Sequence, residues 1–182
     1  RPERMSRPAG PPPDRRGLKE AALRHIARFA ATEQGLTRVL ERRIIRWSHR
    51  ALEDGSDSAS VSETVRALLP LAGETARELV AAGGVDDHAF ARARAARMAR
   101  GGHSRRAVEA GLAARGIPTA TATAALKEAL GDDPAETDLA SALIFARRKR
   151  PGPFSRPPGH RSDESSPEAE LRLCGILARA GF

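Results

Sequence analysis

Guanidinium groups are the most concentrated chemistry in this chain. The stretch 92–115 holds seven arginines and one acid, Glu109. A guanidinium is planar and always charged, so it can donate paired hydrogen bonds to a phosphate or a carboxylate. The candidates for contact with an anionic partner are Arg92, Arg94, Arg97, Arg100, Arg105, Arg106 and Arg115. A well-solvated helix face in an arginine-rich protein is the plainer interpretation of the same pattern.

A second basic cluster closes a later predicted helix. It consists of Arg147, Arg148, Lys149 and Arg150. Cations at a helix C-terminus stabilise the macrodipole, so this cluster also has a structural explanation. Similarly, Arg105 can pair with Glu109 one helical turn away. Both groups remain candidates for partner contact.

The triplet Asp86-Asp87-His88 has residue types that bind metal ions. Adjacent side chains at a helix start point apart, which is poor for joint ligation. Short acidic side chains at such a position accept hydrogen bonds from unpaired backbone N–H groups, so we interpret Asp86 and Asp87 as helix caps. Because the sequence also has no phosphate-binding lysine loop and no serine elbow, we expect no metal, no cofactor and no catalytic residue.

Two capped helices are predicted to position the central arginines. The first runs over 88–100 and stops at Gly101-Gly102. Ser104 can cap the second, which ends at Gly116. At about 100° per residue, Ala91, Ala95 and Met98 share one side of the first helix, while its arginines spread over the rest. Phe90 falls among these arginines, and we expect it to pack on a neighbouring helix.

The same stretch carries two motifs that resemble a known family. One is V-D-D-x-x-F-A-R from Val85, and the other is G-x-S-R-R-x-V-x-x-x-L-x-x-R-G-I from Gly102. They resemble the regulatory protein RecX family, small bacterial proteins that modulate the RecA recombinase. The resemblance covers most of residues 18–182, and its structural motif positions are Asp86, Asp87, Phe90 and Gly116.

The resemblance implies an all-α fold of tandem, divergent three-helix repeats in an elongated, curved, right-handed array. We expect a disordered basic tail (1–17), a first unit (18–83), a central unit (84–131) and a third unit (132–182) with an irregular loop (151–166). No further helix follows Phe182, so we expect the third unit to be incomplete. Two predicted helices close with similar strings, LAARGI at 112–117 and LARAGF at 177–182, which also favours an internal repeat.

The remaining helices are read from apolar spacing. Leu18–Ala30 and the stretch from Leu36 to Trp47 each repeat apolar residues every three or four positions. The arginines on the second of these helices are interpreted as a solvated face, with a partner- or DNA-facing stripe as the alternative: Arg38, Arg42, Arg43, Arg46 and Arg50. Pro70 is expected to break or kink the helix that starts at Val61. Leu139, Leu143 and Ala146 are expected on the apolar side of a helix that begins at Pro134.

Composition limits the classes of function. The net charge is +8, which suits nucleic acid or an acidic protein face as partner. Aromatic residues make up 3% and tyrosine is absent, which argues against a base-stacking platform for single strands. Cys174 is the single cysteine, so we expect it to pack as a small hydrophobe, without a disulfide. We expect a cytoplasmic monomer, since no signal peptide or membrane span is visible.

Three functions compete. The resemblance implies a regulator that binds the RecA–DNA filament and mainly inhibits RecA's ATPase, recombinase and coprotease activities. The alternative is a sequence-independent architectural protein for single- or double-stranded DNA, whose mark is affinity that falls steeply with salt. An enzyme that uses Asp86, Asp87 and His88 ranks last; tight binding of a divalent metal would favour it.

Overall fold

The computed structural model describes residues 9–149 and 167–182, with side chains described for 9–149 and 170–182. Within these ranges the chain forms eight α-helices and no strand, which confirms the predicted all-α class. The helices are α1 (Arg15–Ile26), α2 (Glu33–Glu53), α3 (Ser58–Ala81), α4 (Asp87–Arg100), α5 (Arg105–Ala113), α6 (Thr119–Leu130), α7 (Pro134–Lys149) and α8 (Pro167–Arg179). They fall into two compact units, Arg1–Asp87 and His88–Phe182. The division into three units stays a prediction, as does the handedness of the array.

The first unit is built from α1, α2 and α3 around one aliphatic core. Leu18, Leu36, Leu40 and Ile44 are completely buried there. Each helix starts at a side-chain cap: Asp14 accepts from the N–H of Gly17, Thr32 from Gly35 and Asp57 from Ser60. The Asp14 cap starts α1 at Arg15, within the segment predicted as a disordered tail. The sequence had placed the helix start at Leu18, because the apolar pattern begins there.

Pro70 does not interrupt α3, so the predicted break is wrong, while the alternative of a kink stays a prediction. The helix is continuous from Ser58 to Ala81, with Pro70 on its exposed side. A proline inside a helix removes one backbone donor and crowds the preceding turn. Here Leu68 and Ala72 on both sides of it are buried in the core of the unit. Tertiary packing of this apolar face outweighs the local cost.

A second core joins α4, α5 and α6. Ala91 and Ala95 are completely buried, and Phe90 and Met98 pack against the same cluster. This confirms the predicted apolar side of α4 and the packing of Phe90. The predicted cap of α5 is also present, since Ser104 Oγ accepts from the N–H of Ala107 at 3.2 Å. The same oxygen lies 3.0 Å from the carbonyl oxygen of Ala180, to which the hydroxyl donates.

The predicted apolar side of α7 is confirmed at Ala146 and wrong at Leu139 and Leu143. Ser141 and Ala146 are buried, whereas Leu139 and Leu143 are 64% and 44% exposed. The turn after α4 comes so close to α7 that a β-carbon on Gly102 would lie 2.7 Å from the nitrogen of Phe145. Since this contact sets which side of α7 faces inward, the two leucines point to solvent. Cys174 on α8 is likewise exposed rather than packed.

Candidate partner-binding surface

Two of the predicted arginines, Arg97 and Arg115, lie close to a third, Arg94. Its side chain is half-buried, and its Nε atom is buried without a hydrogen-bond partner in the described part of the chain. Burial lowers the pKa of this guanidinium below its ordinary value, and the nearby positive charges of Arg115 and Arg97 lower it further. Arg97 and Arg115 are both exposed. A bound anion would offset this mutual repulsion.

Arg92 lies on the same helix but has a carboxylate nearby. Its Nη1 atom is 3.8 Å from Oε2 of Glu128, and Nε2 of His88 is 3.3 Å from Oε1 of the same residue. All three side chains are at least 40% exposed. Exposed ion pairs of this kind contribute about 1 kcal/mol or less, so a phosphate could displace Glu128 from Arg92.

Arg105 and Arg106 are adjacent in sequence, but their surroundings differ. The Arg105 side chain is only 18% exposed, with Nε 3.4 Å from Oε1 of Glu109. Its Nη1 atom is buried without a hydrogen-bond partner among the described residues. Arg106 is exposed and lines a shallow cleft with Ile117 and Thr119. Arg106 is therefore the better candidate for partner contact, while Arg105 is held within its own unit.

The cations at the end of α7 are exposed. Arg147, Arg148 and Lys149 all face solvent, and Nη1 of Arg148 donates to the carbonyl oxygen of Gly101 at the end of α4. Arg100, also exposed, lines a cleft between α4, α6 and α7. Arg150, the last member of the predicted basic cluster, lies outside the described residues.

Asp87 caps a different helix from the one predicted. Asp86 immediately precedes α4, but Oδ1 of Asp87 accepts from the backbone N–H of Glu33 at 2.8 Å. Asp87 therefore caps α2, although it is the first residue of α4. Gly116 adopts φ +78° just after α5, and the N–H of Ile117 donates back to the carbonyl oxygen of Leu112 at 3.2 Å. This is the predicted glycine stop.

The parts of the chain that the structure describes contain no cluster of potential metal ligands. No group of three histidine, cysteine, aspartate or glutamate side chains there could hold a metal ion. His88 faces Glu128, and Asp87 is occupied by a backbone N–H. Among the helices described at 9–149 and 167–182, none is long and apolar enough to cross a bilayer.

Several arginines of α2 line a surface cleft. Arg43, Arg46 and Arg50 line a cleft together with Trp47. The sequence favours a solvated face for these arginines over a partner- or DNA-facing stripe, because the residues across the cleft come from other parts of the chain. The available signal was the position of Trp47, the single tryptophan, between arginines four residues before and three residues after it.

The central part of the chain matches the model of a known domain family. Residues 86–126 match the second three-helix domain of RecX, and they contain α4, α5 and the first part of α6. The protein therefore contains a three-helix domain of the RecX type. The Regulatory protein RecX of Myxococcus xanthus (strain DK1622) is 33% identical over 166 residues, 91% of this chain and 79% of that protein. The chain belongs to the RecX family of regulatory proteins. No solved structure shows a significant match to it.

Proposed function

We propose that this protein regulates RecA by binding the RecA–DNA filament, where it mainly inhibits the ATPase, recombinase and coprotease activities of RecA. Membership of the RecX family supports a regulatory role, and the resemblance implies RecA as its target. The protein acts by binding and not by catalysis. It works as a monomer in the cytoplasm, and the single exposed cysteine suits a reducing compartment.

One observation carries the choice of partner. The cluster of Arg94, Arg97 and Arg115 lies in the matched three-helix domain, and the Nε atom of Arg94 is buried there without an acceptor among the described residues. The like charges of Arg97 and Arg115 lie close enough to Arg94 to lower its pKa, so an anionic partner would stabilise the cluster. Phosphates and carboxylates both fit, and a filament of protein on DNA presents both.

The test is the single-stranded-DNA-dependent ATPase of RecA at fixed RecA, titrated with this protein well below the RecA concentration. Binding to the bare DNA is measured in the same buffer. We expect inhibition at substoichiometric protein, too little to cover the DNA. Inhibition that appears only when the DNA is saturated would contradict the proposal and would favour an architectural DNA-binding protein that simply competes for DNA.

The architectural alternative has an observation in its favour, because three arginines without an ion pair among the described residues line the cleft on α2. Its mark is a log–log salt dependence of bare-DNA affinity with a slope of about −0.9 for each phosphate neutralised on a duplex. A regulator that recognises the filament needs no such slope on bare DNA at physiological salt.

A further inference from the structure

Two adjoining clefts of the first unit form one groove along α2. The first lies between residues 9–13 and α2 and is lined by Arg43, Arg46, Trp47 and Arg50. The second lies between α1 and α2 and adds Arg24, Arg28, Phe29 and His25. Arg43 and Arg46 line both clefts, so the two clefts lie side by side along α2. We call this surface the α1–α2 groove, and none of its lining residues is acidic.

The positive charge of the groove is not compensated within the unit. Its five arginines are Arg24, Arg28, Arg43, Arg46 and Arg50. All five are exposed, and none forms an ion pair with any residue that the structure describes. Elsewhere in the same unit, Arg15 is paired with Glu74 and Glu78, and Arg16 with Glu20. The groove therefore suits an anionic occupant, because an opposite charge would relieve the repulsion among its arginines.

Aromatic rings lie within this basic surface. Phe29 is 59% exposed, and the centroid of its ring is 5.3 Å from that of His25. The indole Nε1 of Trp47 donates to the carbonyl oxygen of Gly10 at 3.1 Å, which satisfies its one polar atom and fixes the ring. Although aromatic residues are scarce in the chain as a whole, two of the six are found here.

Exposed arginines together with an exposed aromatic ring favour one kind of anionic partner over the others. A double helix offers phosphates but keeps its bases stacked inside, so an exposed phenylalanine gains little from it. An acidic protein surface offers carboxylates but no regular series of flat rings alongside them. Single-stranded nucleic acid offers both phosphates and unstacked bases, and proteins bind it with basic grooves interleaved with aromatic side chains.

We propose that the α1–α2 groove is a binding site for single-stranded nucleic acid, with its arginines on the phosphates and Phe29 against a base. The inference goes beyond the proposed function, since it gives the chain a nucleic-acid contact of its own. It also places that contact outside residues 86–126, the three-helix domain that the family model matches.

The chain contains its own probe for this site. Trp47 is the only tryptophan and there is no tyrosine, so the emission of the protein reports on the groove. The full chain is titrated with an oligothymidylate, which forms no secondary structure of its own. We expect a saturable change in Trp47 emission that weakens as salt rises, and weaker binding of a duplex of the same length. Unchanged emission, or a preference for the duplex, would overturn the proposal.

Substitutions test whether oligonucleotide binding depends on this groove or only on the net positive charge of the protein. In R43A/R46A, we expect the log–log salt slope to shrink by about 1.4 if each arginine neutralises one phosphate of a single strand. Phe29→Ala is expected to weaken oligothymidylate binding about tenfold, the loss of one base–aromatic stack. Phe29 is mostly exposed, so its removal leaves the core intact. Circular dichroism checks that each variant is folded.

Arg66→Ala is the matched control. Arg66 is an exposed arginine of the same unit, lies on α3, lines neither cleft and has no ion pair in the described residues. If this change weakened oligonucleotide binding as much as Arg43→Ala does, the groove would not be the site. A rival occupant is tested by adding RecA without DNA: a Trp47 response to RecA but not to the oligonucleotide would identify an acidic protein surface and overturn the proposal.

The RecA ATPase distinguishes failure of this proposal from failure of the proposed function. If the groove variants lose oligonucleotide binding yet still inhibit RecA below stoichiometry, both proposals stand as separate sites. If the wild type inhibits RecA while Trp47 never responds to an oligonucleotide, only the groove proposal fails. If Trp47 responds but RecA is not inhibited, only the proposed function fails.

Discussion

The carboxylate of Asp138 accepts a hydrogen bond from the backbone N–H of Arg105, 33 residues earlier, at 2.7 Å. Asp87 does the same for Glu33, 54 residues earlier, at 2.8 Å. In each case the donor is the first residue of a helix, and the preceding threonine or serine caps a different N–H of that helix. The N-termini of α2 and α5 are thus each satisfied twice, once locally and once by an aspartate of a later helix.

Asp138→Ala should therefore lower the stability of the protein. The change leaves the first N–H of α5 unpaired in a partly buried position, and we expect a loss of about 1–2 kcal/mol in the free energy of unfolding. Urea denaturation followed by circular dichroism measures it. Asp132→Ala, which removes only an exposed pairing with Lys127, serves as control and should cost less than about 0.5 kcal/mol. Equal losses would refute the capping role.

The close approach of α7 to Gly102 gives a second prediction. Gly102 has φ +75°, and a β-carbon there would lie 2.7 Å from the nitrogen of Phe145. Gly83 has nearly the same φ, +74°, but nothing within 4 Å. We expect Gly83→Ala to cost about 1–2 kcal/mol from backbone strain alone, and Gly102→Ala to cost more, since α7 must also move. Similar losses for both variants would mean that α7 does not pack closely there.

Arg94→Met should separate binding from folding. Methionine keeps the apolar stem but removes a half-buried charge whose pKa is lowered by burial and by its arginine neighbours. We expect the free energy of unfolding to stay the same or rise. The concentration needed to inhibit the RecA ATPase should increase about tenfold, the loss of one hydrogen bond to a charged group. A destabilised variant with unchanged inhibition would assign Arg94 to the fold and not to the partner.

Substitution of Arg105 should affect stability, whereas substitution of Arg106 should affect filament binding. Arg105→Ala removes the contact with Glu109 and the packing of a mostly buried stem, so we expect a stability loss of about 1 kcal/mol. Arg106→Glu reverses an exposed charge and should weaken filament binding while stability changes by less than about 0.5 kcal/mol. Denaturant unfolding and RecA ATPase inhibition are measured on both variants. The prediction fails if the two variants behave alike.

The exposed leucines of α7 provide a further check on the packing. Leu139→Ala removes a side chain that is 64% exposed and should cost less than about 0.5 kcal/mol. Leu112→Ala empties a completely buried position in the same unit and should cost about 2–5 kcal/mol. A large loss at Leu139 in solution would show that a partner or another copy covers it.

Local chemistry explains what could be predicted from the sequence. Helix limits such as Ser104 and Gly116 were found because caps and glycine stops depend on neighbouring residues only. Pro70 was misjudged because packing of α3 against α1 and α2 outweighs the local cost of a proline. The sides of α7 were misjudged because the approach of Gly102 to Phe145, 43 positions along the chain, decides which residues are buried.

The candidate surface was predictable only in part, for the same reason. Residue type and family resemblance pointed to the central arginines, but sequence spacing alone does not show that Arg94 meets Arg115 or that Arg105 is held by Glu109. For the α1–α2 groove, the sequence offers a partner- or DNA-facing stripe on α2 only as the second interpretation, because the rest of the lining comes from residues 9–13 and α1. Charge that forms one surface only after folding leaves no continuous pattern in the chain.

The hydrogen bond from Glu33 to Asp87 has a consequence for synthesis on the ribosome. When α3 has just emerged, the buried leucines and alanines of the first unit are all present, but the acceptor for the first N–H of α2 is not. That acceptor arrives only with the first residue of α4. The N-terminal unit is therefore complete as a folding unit only when the motif aspartates have been translated, and a fragment ending at Ala81 would have an uncapped backbone N–H at Glu33.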